Sequence, residues 1–359
     1  MWRISALIIV IITLNINLGI HANPKPNPNP IVPCYFIFGD SLSDSGNNNG
    51  LKTKAKANYH PYGLDFPGGK PTGRFTNGRT SVDEIAQRLG HGFIPPFSTA
   101  KGQAILKGVN YASGAAGILP ETGKHLGDVV TFDEQLTNHK RVISKVFKLM
   151  KNGSTQAYMQ KCLYTVNIGS NDYINNYFMP LHYQSSRKYS PNKYAHRLVN
   201  KYRQNLKILY KNGARKVALF GLGMIGCSLG VVMQHHPIGF CVDEINFAVQ
   251  MFNNKLQKLV GELNQEYHDA KFTCINIQAI VVGPLQGITK LRDTCCELRE
   301  DYQCKESAAH CPDRNSHFFW DGFHPTEAVQ KVWGARAFNR SLPVQANPLD
   351  INSLIKYKL

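Results

Sequence analysis

Short apolar runs alternate with longer amphipathic segments along most of the chain. The runs cover 34–38, 162–168, 216–220 and 272–277 and are typical of strands buried on both faces. Apolar residues recur at helical spacing in the segments between them, 81–89, 132–150, 192–212 and 243–268. Strands that alternate with helices predict an α/β fold with a parallel sheet and helices on both of its faces. Right-handed crossovers then bring the strand C-termini to one edge, where we expect the functional site.

The N-terminal segment predicts secretion. Arg3 is followed by an almost wholly apolar run from Ile4 to Ile20, and Ala22 provides the small residue at which signal peptidase would cut. A membrane anchor is the alternative, but the run is shorter than the ~20 apolar residues of a spanning helix and contains two asparagines. We therefore expect a signal peptide over residues 1–22 and an extracellular protein without a transmembrane segment.

The rest of the chain reads as one domain. Proline alternates with Asn and Lys over residues 23–33, which predicts an exposed, Pro-rich leader. No internal repeat or convincing linker follows. We assign residues 34–345 to a single domain and residues 346–359 to a C-terminal tail.

Composition and charge restrict the possible classes of protein. With 359 residues and 43% hydrophobic residues, the chain can bury a full core, which excludes wholesale disorder. The formal net charge is +17, from 41 Lys+Arg against 24 Asp+Glu. These basic residues are scattered and accompany no nucleic-acid-binding motif, so we expect no nucleic-acid partner. The charge favours solubility or retention at an anionic surface, such as a cell wall or lipid headgroups.

Nine cysteines in a secreted chain predict disulfides and one free thiol. Cys227 and Cys241 flank a loop and form a plausible local pair. Cys34 and Cys162 lie in predicted buried strands, so each is a candidate for the free thiol. A further cluster resembles a metal site in composition, but its spacing contains no CxxC pair, so we expect no metal. The residues of this cluster are Cys295, Cys296, Cys304, His310 and Cys311. Sequons at Asn152 and Asn339 predict N-glycosylation.

The first candidate for catalysis is a serine at the end of the first strand. Ser41 lies in the segment 38–48, and its flanking glycine leaves the hydroxyl little covered at the edge of the sheet. The Ser41 N–H would begin the next turn and could face a developing anion. The alternative is that this Ser/Asp segment only caps a helix.

Two later segments contain candidate oxyanion donors. Gly114, in the segment 108–117, permits close backbone approach to a ligand, although the segment also suits a small-residue turn. Asn171 follows the second predicted strand and could present its side-chain amide at the same edge, although an Asx turn is the alternative.

The fourth segment offers a general base. Asp321 and His324 are three residues apart, so the carboxylate can bond one ring nitrogen and leave the other free to accept a proton from a serine. The alternative is an incidental histidine at a helix N-terminus, because Pro325 and Thr326 precede a helical pattern over 327–339.

Together these segments resemble the GDSL family of serine esterases and lipases, within the SGNH hydrolase superfamily and specifically its plant branch. The resemblance extends from about Tyr35 to about Phe338, and the block 73–79 followed by Asp83 resembles a block of that branch. It implies a three-layer αβα sandwich, a flavodoxin-like fold around a five-stranded parallel sheet.

The resemblance also implies the roles of the site residues. Ser41 would be the nucleophile, His324 the general base and Asp321 the residue that orients it. The oxyanion hole would consist of the Ser41 N–H, Gly114 and Asn171. No cofactor is expected.

The chain departs from the plant pattern at two loops. Ser228 and Leu229 follow Gly226-Cys227, where relatives usually carry proline, and Glu297 follows the paired cysteines, where relatives tend toward glycine. Neither departure touches the catalytic set.

Two other motifs are rejected. The residues 226–230 satisfy GxSxG, but Ser228 does not directly follow its strand and no strong helix pattern follows it. The stretch 63–70 hints at a P-loop, but its glycine spacing is wrong and a proline follows the lysine.

The sequence therefore predicts a secreted, monomeric serine hydrolase of carboxylic esters. Its substrate would be a lipid or another small acyl ester, or an acylated wall polymer. Two alternatives stay open: a carbohydrate acetylesterase that uses the same site, and a catalytically silent binding protein on the same scaffold.

Overall fold

The computed structural model describes residues 27, 29–150, 154–281, 285 and 287–359. The predicted signal peptide, part of the Pro-rich leader and Asn152 of the first sequon lie outside the described residues. At the end of the leader, the Ile31 N–H donates to the Leu89 carbonyl at 2.9 Å, and Val32 is buried. The described end of the leader therefore packs against the domain.

Five strands form the central sheet, in the order β1-β2-β3-β4-β7. The strands of the molecule are β1 (Tyr35–Gly39), β2 (Leu163–Asn167), β3 (Lys216–Phe220), β4 (Lys271–Ile275), β5 (Lys290–Thr294), β6 (His317–Phe319) and β7 (Ala346–Asn347). β1 to β4 are parallel and in register, which confirms the four predicted strands and brings their C-termini to one edge. β5 and β6 form a separate two-stranded sheet.

The fifth strand differs from the prediction of a wholly parallel sheet. β7 pairs antiparallel with β4, with Cys274 opposite Asn347 and Ile275 opposite Ala346. β7 and the last helix both come from residues 346–359, which the sequence analysis sets apart as a tail. These residues complete the edge of the sheet.

The four predicted helices are confirmed to within two residues at each end, and shorter helices connect them. The helices are α1 (Ser81–Arg88), α2 (Phe132–Leu149), α3 (Thr155–Gln160), α4 (Ser170–Asp172), α5 (Ser185–Lys188), α6 (Pro191–Lys211), α7 (Leu229–His235), α8 (Asp243–Glu266), α9 (Ile277–Val281), α10 (Glu327–Phe338) and α11 (Ile351–Lys356). No helix within the described residues is long and apolar enough to cross a membrane.

Alternate residues of the strands enter two separate apolar clusters. Phe36 and Phe38 of β1 belong to one cluster, which also contains buried residues of α2, α6 and α8. Tyr35 and Ile37 belong to the other, which contains buried residues of α1, α10 and α11. Because successive side chains of a strand point to opposite faces, both faces of the sheet are covered.

Four disulfides link eight of the nine cysteines. The pair Cys227–Cys241 confirms the prediction. The prediction that Cys34 or Cys162 is the free thiol is wrong, because these two form a disulfide and the free cysteine is the buried Cys274 of β4. Cys34 and Cys162 each directly precede a strand, and the parallel pairing of β1 with β2 brings them together. The remaining disulfides are Cys295–Cys311 and Cys296–Cys304.

Candidate active site

Ser41 lies in a tight turn that directly follows β1. The Asp40 carbonyl accepts the N–H groups of Ser43 and Asp44 at 3.1 and 3.0 Å, which closes the turn. Ser41 is half-buried at its apex and lines a cavity of about 300 Å³, the catalytic cavity. The Ser41 N–H donates to no described residue. The turn thus presents both the hydroxyl and a free backbone donor to the cavity.

A buried carboxylate holds this turn. Asp44 accepts the N–H groups of Gly46 and Asn47 at 2.7 and 2.8 Å, and its other oxygen accepts the Gly114 N–H at 3.0 Å. Burial raises the pKa of Asp44 to about 6, although these three donors oppose that rise. Asp44 therefore ties the Ser41 turn to the segment that contains Gly114.

His324 and Asp321 lie on a loop between β6 and α10. Asp321 is fully buried, and its Oδ1 accepts the backbone N–H groups of Phe323 and His324, both at 2.8 Å. The Trp320 N–H donates to the His324 carbonyl at 2.7 Å, so the loop closes on itself. These bonds fix the carboxylate and the imidazole ring, which lie three positions apart in the chain, relative to each other.

The loop and the turn meet in one chain of hydrogen bonds. The Nδ1 atom of His324 lies 2.8 and 2.9 Å from the two carboxylate oxygens of Asp321, and its Nε2 atom lies 2.8 Å from Ser41 Oγ. A carboxylate can only accept, so Nδ1 carries the hydrogen and Nε2 accepts from the serine hydroxyl. This arrangement suits a serine that gives its proton to a histidine.

Tyr62 extends this series of hydrogen bonds, and the sequence analysis does not identify it. Its fully buried hydroxyl donates to Asp321 Oδ2 at 2.6 Å and accepts the Cys304 N–H at 3.1 Å. Burial and the Asp321 carboxylate raise the pKa of Tyr62 well above its ordinary value, so it stays a donor. No local motif identifies Tyr62, which lies 259 residues from Asp321 in the sequence.

The block 73–79 holds the histidine loop from the other side. The Thr76 hydroxyl donates to the Pro325 carbonyl at 2.9 Å, and Asn77 Oδ1 accepts the first N–H of α10 at 2.8 Å. The ring of Phe75 packs against that of His324, with their centroids 5.0 Å apart. The block therefore fixes the position of the His324 ring, which gives its residues a physical role.

Asn171, predicted as an oxyanion donor, lines the catalytic cavity together with Ser41 and His324. Its Oδ1 accepts from Asn175 at 2.7 Å, which orients the amide, and its Nδ2 donates to the Ala116 carbonyl at 3.0 Å. An amide nitrogen has two hydrogens, so one remains for a ligand.

Gly114 is placed differently from Asn171. Its N–H donates to Asp44, and a Cβ atom at this position would lie 2.7 Å from the Phe75 ring. The structure therefore explains the glycine by close packing. The next residue, Ala115, lines the cavity with φ at 66°, and its N–H has no hydrogen-bond partner among the described residues.

Asp40 is a buried acid of the catalytic cavity. Its Oδ1 accepts the Leu42 N–H at 3.0 Å, whereas its Oδ2 has no partner among the described residues. Burial raises the pKa of Asp40 to about 7, and nearby His324 opposes that rise.

The rejected candidates have structural roles. Cys295, Cys311 and His317 lie close enough to suggest a metal site, but both sulfurs belong to one disulfide and offer no thiolate. Ser228 donates to the Ile225 carbonyl at 2.7 Å and is the N-cap of α7. The expectation that no helix follows Ser228 is therefore wrong.

The comparisons with known proteins show the family of this chain. Residues 35–337 match the profile of the GDSL-like Lipase/Acylhydrolase family. The chain is 48% identical over 337 residues to GDSL esterase/lipase At4g18970 of Arabidopsis thaliana, and the aligned region covers 91% of this chain and 93% of the relative. It is 46% identical over 333 residues to GDSL esterase/lipase At1g29670 of the same plant, and the aligned region covers 90% of this chain and 91% of that relative. The chain therefore belongs to the GDSL-like lipases and acylhydrolases, a family of hydrolases that act on ester bonds.

Proposed function

We propose that the protein is a secreted serine hydrolase that cleaves carboxylic esters through Ser41, His324 and Asp321. The observation that carries the proposal is the continuous chain from Ser41 Oγ through His324 to the buried Asp321, at 2.8 to 2.9 Å for each step. Nothing in the proposed reaction requires a cofactor. The two apolar clusters on alternate strand positions also support the three-layer αβα sandwich that the family resemblance implies.

The reaction proceeds in two steps. His324 Nε2 takes the hydroxyl proton as Ser41 Oγ attacks the ester carbonyl, and it then gives this proton to the departing alcohol. Water, deprotonated by the same nitrogen, cleaves the acyl-enzyme and releases the acid. Asp321 and Tyr62 hold the imidazole ring in place through both steps.

The oxyanion is stabilised by the Ser41 N–H and the free hydrogen of the Asn171 amide. Gly114, the third predicted donor, contributes only by sharing its hydrogen between Asp44 and the oxyanion, because that N–H is already bonded. The Ala115 N–H lies next along the chain and has no hydrogen-bond partner among the described residues.

Secretion and glycosylation are part of the proposal. Four disulfides support an oxidising compartment such as the extracellular space. Asn339 is exposed at the end of α10, and its Oδ1 accepts from Asn352 while its Nδ2 has no described partner, which supports its use as a glycan acceptor. We propose a monomer that acts on a small-molecule or lipid ester, without a nucleic-acid partner.

The test is turnover of p-nitrophenyl esters by wild type, Ser41→Ala and the matched surface variant Ser144→Ala. Ser41→Ala should lose nearly all turnover while keeping the melting temperature of the wild type, and Ser144→Ala should keep its activity. A fluorophosphonate label, located by peptide mass spectrometry, should attach to Ser41. Label on Ser228, or wild-type rates in Ser41→Ala, would overturn the assignment. A folded wild type without turnover or labelling would favour the catalytically silent binding protein.

A further inference from the structure

A second cavity, of about 390 Å³, lies beside the catalytic cavity at the same edge of the sheet. It opens where the chain leaves β3 and β4, and its lining includes Met224, Ile277, Leu285, Ile288, Phe319 and Trp333. No charged side chain belongs to its described lining. We call it the apolar cavity. Its volume lies within the ~300–1,000 Å³ range of small-molecule sites.

The two cavities share part of their walls. Leu42, which directly follows the nucleophile, and Phe323, which directly precedes the base, line both of them, as does Ile225. A chain that extends from an ester carbonyl at Ser41 past these side chains would therefore enter the apolar cavity.

The lining of the catalytic cavity differs in character. Its lining also contains apolar side chains, but it includes the charged Glu300 and Asp301, so this side of the cavity suits the polar part of a substrate. The mouth of the apolar cavity instead exposes Met224 and Leu291, each with 54% of its surface accessible. Such exposed apolar side chains at a cavity mouth mark a site for an apolar ligand.

We propose, on the basis of the function proposed above, that the apolar cavity binds a hydrocarbon arm of the ester. The substrates are then esters with a long aliphatic chain, as in lipids, rather than acetyl esters of a polar polymer. An acetyl group has one methyl and would leave the cavity unfilled. Each methylene that enters it should contribute about 0.8 kcal/mol, which is about fourfold in kcat/KM.

Gly223 is the position at which this proposal is most directly tested. A Cβ atom at Gly223 would meet only Ile277, at 3.5 Å, which is an ordinary contact, and both residues line the apolar cavity. Gly223→Ala, Gly223→Leu and Gly223→Phe should thus fill the cavity by steps without backbone strain. Gly261→Phe is the matched control, because Gly261 is exposed on α8 with no neighbour within 4 Å of a Cβ atom.

The experiment measures kcat/KM for p-nitrophenyl esters of increasing acyl length and for acetates of increasing alcohol length. In one of the two series, kcat/KM should rise at least tenfold from the shortest member to a chain about six carbons long. That series shows whether the acyl arm or the alcohol arm lies in the cavity. Gly223→Phe should abolish this rise, because it should lower kcat/KM more for each longer member of the series. Gly261→Phe should retain the rise. A preference for the shortest member in both series, or an equal loss on all esters in Gly223→Phe, would overturn the proposal.

A binding measurement separates this proposal from the proposed function. Ser41→Ala should bind p-nitrophenyl octanoate or octyl acetate, and adding Gly223→Phe should weaken that binding at least tenfold by calorimetry. This result would support the apolar cavity as the chain site even if wild type showed no turnover. The opposite outcome is that wild type hydrolyses p-nitrophenyl acetate through Ser41, while Ser41→Ala binds the octanoyl and octyl esters equally well with and without Gly223→Phe. This outcome would support the esterase and overturn the apolar cavity as the site of the hydrocarbon arm.

Discussion

The turn that carries Ser41 and the loop that carries Asp321 and His324 are held in place by different kinds of contact. Around Ser41, the buried carboxylate of Asp44 accepts three backbone N–H groups. It thus supplies the hydrogen-bond acceptors that a helix or a strand would otherwise provide. Around His324, the buried carboxylate of Asp321 also accepts two backbone N–H groups, but in addition it bonds two side chains, the imidazole ring and the Tyr62 hydroxyl. Loss of a contact near Ser41 should therefore appear as loss of stability, whereas loss of one near His324 should appear as loss of rate.

The largest expected effect is that of Asp321→Asn on the rate. The asparagine Oδ1 can still accept the loop N–H groups, but its amide nitrogen cannot accept the Nδ1 hydrogen of His324, so the ring takes the wrong tautomer. We expect kcat to fall about 10⁴-fold, measured with p-nitrophenyl esters.

Asp313→Asn is the control, because Asp313 is exposed and its carboxylate makes no hydrogen bond or ion pair with a described residue. A loss of less than about 100-fold in Asp321→Asn would show that Asp321 has a mainly structural role.

Tyr62→Phe tests whether the bond to Asp321 acts on the rate. A hydrogen bond to a charged group contributes about 1.5–3 kcal/mol, so kcat should fall about 10- to 100-fold with little change in KM. Without this donor the carboxylate acts more strongly on the imidazole ring, and the acidic limb of the kcat profile should move to higher pH.

Tyr59→Phe is the matched control for this change. The Tyr59 hydroxyl donates to the Cys304 carbonyl at 2.9 Å, and its ring packs edge-on against Tyr62, but it makes no hydrogen bond to Asp321. If both variants lost equal activity with unchanged pH profiles, Tyr62 would be a packing residue. The contacts around His324 would then not act on the rate in the way proposed here.

Asp44→Asn tests the contacts that hold the Ser41 turn. An asparagine has one oxygen for the three N–H groups that Asp44 now accepts, and its amide would face one of these donors. We expect a loss of about 1–3 kcal/mol in the free energy of unfolding, measured by chemical denaturation, with kcat of the folded protein within tenfold of wild type.

Asp243→Asn, at an exposed helix start, should change the stability by less than about 0.5 kcal/mol. An Asp44→Asn variant with wild-type stability but a greatly reduced kcat would contradict the difference between the two sides.

The same difference explains how much the sequence could predict. Ser41 follows β1, Asn171 follows β2, and Asp321 lies three residues from His324, so each lies within a short motif. Tyr62 acts on a residue 259 positions away, and nothing near it in the sequence shows this contact. Local patterns thus identify the groups of the candidate site, whereas the contacts that position them depend on the tertiary fold.

The elements of the fold divide in the same way. The long strands and helices have clear periodicity and were predicted almost to the residue. β7 has two residues, too few to form a pattern, and its antiparallel direction depends on the packing of the last residues against β4. The Cys34–Cys162 disulfide follows from the pairing of β1 with β2, which depends on the order of strands in the sheet.

The smallest expected effect is the pH dependence of stability on the Ser41 side. Burial raises the pKa of Asp40 from 3.8 to about 7, so between these values the folded chain holds a proton that the unfolded chain has lost. The stability that the protonated Asp40 contributes should therefore be fully present below about pH 4 and be lost as the pH rises from there through about 7. We expect the melting temperature to fall by roughly 5 °C between about pH 5 and about pH 8. Asp40→Asn cannot titrate and should reduce this fall, while Asp44 and Asp172, whose pKa values burial also raises, keep part of it. Parallel melting curves for the two proteins would show that Asp40 is ionised in the folded chain across this range.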